Sequence, residues 1–386
     1  MSELIYLDNA ATSFPKPEEV YVFMDRFYRK FGVNPGRSGY DLCMEAGEVV
    51  EATRKMLTRF FNGRDPNRLC FSYNSTDALN LIIFGILKDN DHALTTTLEH
   101  NSVLRPLYHL FQDRGVKVDY IPFDRQGFVD PDDFRKKFRD DTKLVIVNHA
   151  SNVIGTVQPI EAIGRHCRER GILFAIDASQ SAGKIPIDIE KCHVDIVAFT
   201  GHKSLMGPTG IGGLYVREGV EIRLTRAGGT GVRSSVRTHL EEYPYRLEYG
   251  TVNVLGVAGL HAGLKWVEGK GLSNIYDHEM KLTRQLVAGL KSIDGVTLYC
   301  QDDLKDHISV VCFNVDGLEA LHVGTMLDVD HNIASRTGLH CAPFVHEQLG
   351  TDAIHGAVRF GIGPLNTAEH IQIAIDAVRE IARLKK

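Results

Sequence analysis

The sequence predicts an α/β protein with a mainly parallel sheet in a large domain, joined to a smaller α+β domain. Two observations carry this expectation. Up to about Val254, short apolar runs alternate with helical hydrophobic spacing; beyond it, long amphipathic helices come first and a few strands follow. Regular alternation of strand and helix builds a parallel sheet whose two faces are covered by its own crossovers.

Taken in order, the spacing predicts a helix over 43–61, a strand over 69–72, a helix over 77–87 and a strand over 92–95. A helix over 103–114 leads into a strand over 116–122, and a further strand follows at 144–148. A helix over 159–169 then separates these from apolar strands at 173–177, 196–200 and 212–216. The later part reads as helices over 254–270 and 274–291, strands near 308–315 and 357–360, and a closing helix over 367–384. No internal repeat or low-complexity linker interrupts the chain.

Composition narrows the function without choosing it. A 386-residue chain with 43% hydrophobic and 24% charged residues matches many soluble enzymes and is long enough for two cores. Its net charge of −5, with no Lys/Arg-rich run, gives no reason to expect nucleic acid or an anionic membrane as partner. Met1-Ser2-Glu3-Leu4 has neither a basic segment nor an apolar stretch of a signal peptide, and no run of about 18 apolar residues follows. A cytoplasmic location is therefore expected. Seven cysteines without a Cys-x-x-Cys pair argue against a disulfide framework and a zinc ribbon, so no metal is expected. Most sit among apolar neighbours, as in Leu69-Cys70-Phe71 and Val311-Cys312-Phe313, where a thiol behaves as a small hydrophobe. Cys341 differs: Arg336, Gly338, His340 and Pro343 surround it, a polar loop with groups that favour a thiolate.

Chemistry concentrates at strand ends. Thr200-Gly201-His202-Lys203 puts a lysine on a turn just after an apolar strand, where open α/β sheets bind ligands, and makes it a candidate Schiff-base residue. Asp177 ends another apolar strand 26 residues earlier, a spacing that reads as one αβ step of a parallel sheet. A carboxylate there suits the ring nitrogen of pyridoxal phosphate, which it keeps protonated so that the ring acts as an electron sink. The alternative for Asp177 is a helix cap, and for Lys203 a surface lysine in a Gly-rich loop. Gly207-Pro208-Thr209-Gly210-Ile211-Gly212-Gly213 has dinucleotide-like spacing but precedes a strand instead of following one, which rules out that reading. A phosphate is better sought at Tyr73-Asn74-Ser75-Thr76-Asp77, where a strand runs into a helix; Ser75 and Thr76 as a plain N-cap is the competing role.

Together with Tyr6-Leu7-Asp8-Asn9-Ala10-Ala11-Thr12, Glu99-His100-Asn101-Ser102, Ser151-Asn152-Val153-Ile154-Gly155-Thr156 and Arg336-Thr337-Gly338-Leu339-His340-Cys341-Ala342, these stretches fall in one family's order. Over nearly its whole length the chain resembles class V aminotransferase-fold enzymes of the cysteine desulfurase and selenocysteine lyase branch, group II in its cysteine loop. The resemblance implies the aspartate aminotransferase-like fold type I of pyridoxal 5'-phosphate enzymes. It places residues 16–253 in the large cofactor-binding domain and residues 1–15 with 254–386 in the small one.

Carried over by position, Lys203 resembles the Schiff-base lysine, Asp177 the pyridinium partner and His100 the imidazole stacked on the ring. Gln180 matches the contact to the phenolic oxygen, and Ser75, Thr76, Thr200 and His202 match phosphate-site positions. Gly250-Thr251 resembles the segment that completes the phosphate site of a neighbouring subunit, which implies a homodimer. Ala10, Asn152 and Arg359 match substrate positions, and a guanidinium fork suits a carboxylate; an incidental ion pair is the alternative for Arg359. Cys341 resembles the thiol that takes sulfur from L-cysteine as a persulfide, with His340 or His100 managing the proton, alanine as co-product and a protein as acceptor.

Two departures set the chain apart. Leu339 stands where these enzymes commonly carry the first of two histidines, and Asn34-Pro35-Gly36-Arg37-Ser38-Gly39-Tyr40 stands where they usually carry a His-Arg-Gly run. L-selenocysteine as substrate, transamination by a class V aminotransferase, and a non-catalytic docking role in sulfur or selenium assembly remain as alternatives. A pure binder has no need of Lys203 and Asp177 together.

Overall fold

Seven strands form the central sheet of the computed structural model, which describes residues 4–35, 39–300 and 302–384. Their spatial order is Leu69–Ser72, Gly212–Val216, Ile196–Thr200, Leu173–Asp177, Thr142–Asn148, His92–Thr96 and Lys117–Ile121. Gly212–Val216 runs antiparallel to both neighbours, and the remaining pairings are parallel. The mainly parallel sheet expected from the sequence is thus present.

The inner strands are largely apolar because both faces of the sheet are covered, whereas the edge strand Lys117–Ile121 begins with an exposed lysine. Successive side chains point to opposite faces, so each strand feeds two cores. Val145, Val147, Phe174, Ile176, Val197 and Phe199 enter one core, with residues of helices Asp41–Phe60, Ile160–Arg170 and Val254–Lys270. Leu144, Ile146, Ala175, Ile196 and Ala198 enter the other, against helices Ser75–Ile86 and Asn101–Arg114.

A four-stranded antiparallel sheet, in the order Arg336–Gly338, Ala357–Gly361, Val310–Val315 and Val296–Leu298, builds the second body. Helices Leu272–Lys291 and Ala368–Arg383 bury Leu282, Leu286, Ile371 and Val378 against it. Ile5 and Leu7 join that core from the other end of the sequence, and Ile5–Tyr6 pairs in parallel with Ile333–Ala334.

The structure departs from the sequence reading at several elements. The step from Asp177 to the strand Ile196–Thr200 contains no helix; it is a string of turns anchored by buried Ala182, Ile187, Ile189 and Val194. Gly183 (φ +91°) presses against the Ser204 carbonyl there, an approach that leaves no room for a side chain. Helices Glu18–Phe31, Pro131–Lys137, Ala320–Val329 and Pro343–Leu349 were not anticipated. The helix expected from Asp77 starts earlier, at Ser75, because Asn74 caps it: the Asn74 side chain accepts from Asp77 N at 2.9 Å. No helix among the described residues is long and apolar enough to cross a membrane.

Helix Val254–Lys270 touches the turn that follows Lys203. A Cβ on Gly263 would stand 2.4 Å from the Leu205 carbonyl oxygen and 2.9 Å from Gly207 N. Gly263→Ala must push that turn away, and we expect a loss of about 1–3 kcal/mol in urea unfolding, typical of overpacking. Gly269→Ala in the same helix meets nothing within 4 Å. It should be neutral or slightly stabilising, since Ala outranks Gly in helices. Equal behaviour of the two variants would contradict the close approach.

Candidate active site

Adjacent parallel strands deliver Asp177 and Thr200 to the same edge of the sheet, with Asn148 opposite Asp177 in the register. A cavity of about 290 Å³ opens there. Its wall contains Ala10, Ser75, Thr76, His100, Asn152, Asp177, Gln180, Thr200, His202, Lys203 and Arg359, so one space gathers every residue nominated from sequence except Cys341 and Thr251. Cys341 belongs to the loop whose preceding residue, His340, lines the wall. Thr251 is exposed and lies outside this cavity, at a second depression beside Tyr73, Asp77 and Tyr249.

The Lys203 turn is held by the N-terminal segment. Ser13 N and Thr12 Oγ1 donate to the His202 carbonyl at 3.1 and 3.0 Å, Lys16 Nζ donates to the same oxygen at 2.6 Å, and Ser13 Oγ donates to the Lys203 carbonyl at 2.8 Å. Burial is the largest influence on the Lys203 amine and brings it down to about 8; Arg359 and Arg336 push the same way, against Asp177 and Asp8. A lysine so tuned has a substantial share of free amine near neutral pH. Lys16 is also brought down to about 8 by burial.

Around this lysine, several buried polar atoms lack a partner among the described residues: Thr200 Oγ1, His202 Nδ1, Asn152 Oδ1 and Arg359 Nε. Buried polar groups are ordinarily satisfied, so a cluster of orphans on one cavity wall marks a place for a polar ligand. Ser75 and Thr76 are not the N-cap; with Asn74 in that role they occupy the first turn, where backbone N–H groups favour an anion. Their hydroxyls are tied into a short network: Ser75 Oγ donates to Asp177 Oδ1 at 3.3 Å, and Thr76 Oγ1 lies 2.7 Å from Ser102 Oγ.

His100 caps the helix Asn101–Arg114, with Nδ1 accepting from Ser102 N at 3.1 Å. That bond leaves the proton of the neutral ring on Nε2. Burial first, then the charge of Lys203, holds this imidazole down to about 4, so it is neutral at physiological pH. Asp177, 5% exposed, accepts from Ser179 N at 2.9 Å and from the hydroxyls of Ser179 and Ser75, all through Oδ1. None of these bonds uses Oδ2, which can meet a ring N–H. Gln180 Nε2 donates to the Ala10 carbonyl at 2.8 Å and fixes the N-terminal segment over the cavity.

Arg359 is 2% exposed and stands on a strand facing Arg336 on one side and Cys312 on the other. Its guanidinium donates to Asp8 Oδ1 at 2.7 Å and to the Asn152 carbonyl at 3.0 Å. The ion pair held open by the sequence is therefore real, but it is buried at the cavity and leaves Nε available. Arg336 Nη2 donates to Cys341 Sγ at 3.8 Å. His340 and Cys341 both adopt left-handed backbone, φ +51° and +59°, which costs on the order of 1–3 kcal/mol per residue without glycine. Hydrogen bonds hold that shape: Asn152 Nδ2 to the His340 carbonyl at 2.8 Å and Asn101 N to the Cys341 carbonyl at 2.7 Å.

Sequence reading missed Asp8, Asn74, Asn148, Ser102 and Ser179, all of which serve the site through the contacts above. Asp8, Asn74 and Ser102 sat inside motifs already singled out, Asn74 as a residue type that caps helices, whereas Ser179 carried no signal beyond its nearness to Asp177. Leu339, the departure in the cysteine loop, is 40% exposed. The other departure falls partly on residues 36–38, which lie outside the described residues.

A three-layer α/β fold with a lysine and a carboxylate at neighbouring strand ends defines a pyridoxal phosphate enzyme of fold type I. Residues 5–373 match the family model for aminotransferase class-V, and the chain belongs to that family. It is 36% identical to a probable cysteine desulfurase of Pyrococcus abyssi, over 99% of this chain and 95% of that one. It is 33% identical to another of Methanothermobacter thermautotrophicus, over 98% and 94%. Among solved structures, the apo cysteine desulfurase of Thermococcus onnurineus NA1 superposes with a TM-score of 0.89 at 35% identity, covering 98% of this chain and 95% of that one. The cysteine desulfurase CsdA (S-sulfonic acid) of Escherichia coli does so with 0.89 at 27%, covering 99% and 96%. Membership implies pyridoxal 5'-phosphate, and the orphaned Thr200 and His202 atoms, the open Asp177 Oδ2 and the tuned Lys203 fit its phosphate, ring nitrogen and aldehyde.

Glu99 lies beneath this site, fully buried, with Oε1 accepting from Thr96 Oγ1 at 2.6 Å and Asn148 N at 3.0 Å and Oε2 unpartnered among the described residues. Burial is the main reason its carboxyl rises from the ordinary 4.5 to about 8. Because the folded value is the higher one, Glu99 stabilises most fully below pH 4.5, and that contribution declines as pH rises through about 8. Glu99→Gln removes the titration. The wild type should therefore lose urea stability relative to the variant between pH 5 and about 8, and a difference independent of pH would refute a protonated Glu99.

Proposed function

We propose that this chain is a pyridoxal 5'-phosphate-dependent cysteine desulfurase that converts L-cysteine to L-alanine and keeps the sulfur as a persulfide on Cys341. One observation carries the reading: Arg336 lines the cavity that gathers Lys203, Asp177 and Arg359, and its guanidinium donates to Cys341 Sγ. A transaminase has no use for a thiol held at that wall.

When bound, the cofactor supplies an electron sink for the pair left behind when the substrate Cα proton is removed. Lys203 would hold the cofactor aldehyde, Asp177 its ring nitrogen, His100 its face and Gln180 its phenolic oxygen, and Thr200, His202, Ser75 and Thr76 would hold its phosphate. Arg359, with Asn152 and the Ala10 backbone, takes the substrate carboxylate and so orients the substrate thiol toward the cysteine loop. Lys203, through the share of its amine that burial leaves neutral, takes the Cα proton. Cys341, as thiolate, attacks the substrate sulfur: an S–S bond forms, the Cβ–S bond breaks, and its electron pair stays with the carbon skeleton. The carbon skeleton gains at Cβ the proton that the Cys341 thiol gave up, recovers its Cα proton from Lys203, and leaves as alanine. The persulfide then passes its outer sulfur to an acceptor protein. His340 is neutral, held well below its usual value chiefly by burial, and fronts the cavity beside Cys341.

The exposed Thr251 supports a homodimer in which each chain reaches the phosphate of the other. Thr251→Ala should weaken cofactor binding with little effect on urea stability, and a fully active monomer at high dilution would sink the shared-site arrangement.

Borohydride reduction should place a pyridoxyl group on Lys203, read by mass spectrometry. A label on another lysine overturns the assignment. Cys341→Ser should keep the cofactor absorbance and the spectral response to cysteine while losing persulfide and at least about 100-fold in alanine release, as removal of a nucleophile does. Intact cysteine turnover in that variant, or amino transfer to 2-oxo acids faster than sulfur release, would replace desulfurase with aminotransferase.

A further inference from the structure

Behind Cys341 lies a chain of three buried side chains that the reaction above does not use. His340 Nε2 lies 3.3 Å from the Arg336 carbonyl oxygen, and His340 Nδ1 lies 3.2 Å from His346 Nε2. His346 Nδ1 lies 2.8 Å from Thr351 Oγ1. The two rings are tilted by 34° with centroids 5.3 Å apart, and His340, His346 and Thr351 are all at most 4% exposed.

Their protons have one consistent arrangement. The Arg336 carbonyl can only accept, so His340 Nε2 carries the hydrogen. Burial drives both imidazoles down, His346 to about 4, so each ring carries a single N–H at neutral pH. His340 Nδ1 is then an acceptor, His346 Nε2 donates to it, and the Thr351 hydroxyl donates to His346 Nδ1. Backbone bonds hold Thr351 beside His346: its N donates to the His346 carbonyl at 2.9 Å and its carbonyl accepts from Gly356 N at 2.8 Å.

The string ends on the residues that present the sulfur. His340 is tied by its ring to the Arg336 backbone and by its carbonyl to Asn152, while the Arg336 guanidinium reaches Cys341 Sγ. His340 and Cys341 hold two consecutive left-handed conformations that neither residue favours alone. We propose that His346 is a positioning residue, oriented by Thr351, that locks His340 in one tautomer and thereby holds Arg336 and Cys341 Sγ together at the cavity wall. This rests on the desulfurase reading for its purpose, and on the geometry alone for its existence.

The test compares His346→Leu, which fills the space without hydrogen bonds, with His346→Gln, whose amide can donate to His340 and accept from Thr351. In cofactor-loaded protein, alkylation of Cys341 by iodoacetamide should slow about 10-fold or more in the leucine variant and stay within about threefold of wild type in the glutamine variant. Misplacement of a reacting group by about 1 Å is enough for such losses. Persulfide formation in a single turnover should fall in parallel, with KM and the cofactor spectrum little changed. Thr351→Val should give a smaller loss of the same kind. Wild-type alkylation in His346→Leu, or equal losses in the leucine and glutamine variants, overturns the positioning role. Wild type that makes no alanine from cysteine, with the alkylation pattern intact, would instead refute the desulfurase reading and leave the lock standing.

Discussion

A guanidinium shut away from water governs this structure. Arg359 stands in the four-stranded sheet and cannot be buried unless its charge is met, and the two groups that meet it come from elsewhere: Asp8 near the start of the chain and the Asn152 carbonyl beside the seven-stranded sheet. Isolated buried charge is among the most costly things a protein can contain, so the three parts must arrive together or not at all. Asn9 reinforces the junction, donating from Nδ2 to the Gly361 carbonyl at 3.0 Å. Everything proposed for the substrate carboxylate depends on this meeting point.

The same burial that constrains Arg359 tunes its neighbours. Lys203 is pulled toward the free amine, while His100, His202 and His340 are kept uncharged, each chiefly by loss of water. The cavity therefore carries its positive charge on Arg336 and Arg359 and leaves its histidines as directional hydrogen-bonding groups. A wall of fixed guanidinium groups and neutral imidazoles suits an anionic substrate and a sulfur nucleophile, and leaves Lys203 as the group whose charge changes near neutral pH.

Legibility in the sequence followed the range of the interaction. The strands of the central sheet were readable because a strand covered on both faces must be apolar along its length, and Asp177 and Lys203 were readable because each ends such a strand. The helix-free passage from Asp177 to Ile196 was not, since its turns are dictated by contact with Ser204 and by side chains packed beneath the sheet. The start of the helix at Ser75 turned on a single side-chain bond from Asn74, a short-range signal that competes with Ser75 and Thr76 for the same role. Asp8 acquires meaning only through Arg359, a partner far away along the chain. The cysteine loop lay between these extremes: its composition was telling, but the left-handed backbone and the buried string behind it exist only in three dimensions.

The clamp on the Lys203 turn also bears on timing. Thr12, Ser13 and Lys16 are synthesised well before the carbonyls they grip, which belong to His202 and Lys203, and Asp8 must wait still longer for Arg359. Contacts of such long separation form late, because the loop between them has to close first. During synthesis the leading segment therefore stays undocked while the central sheet assembles behind it. An intermediate with a finished sheet but no strand Ala357–Gly361 has a lysine and an aspartate in place and nothing to grasp the amino acid. Sulfur chemistry on free cysteine is thus withheld from half-made chains by the order in which the polypeptide is written.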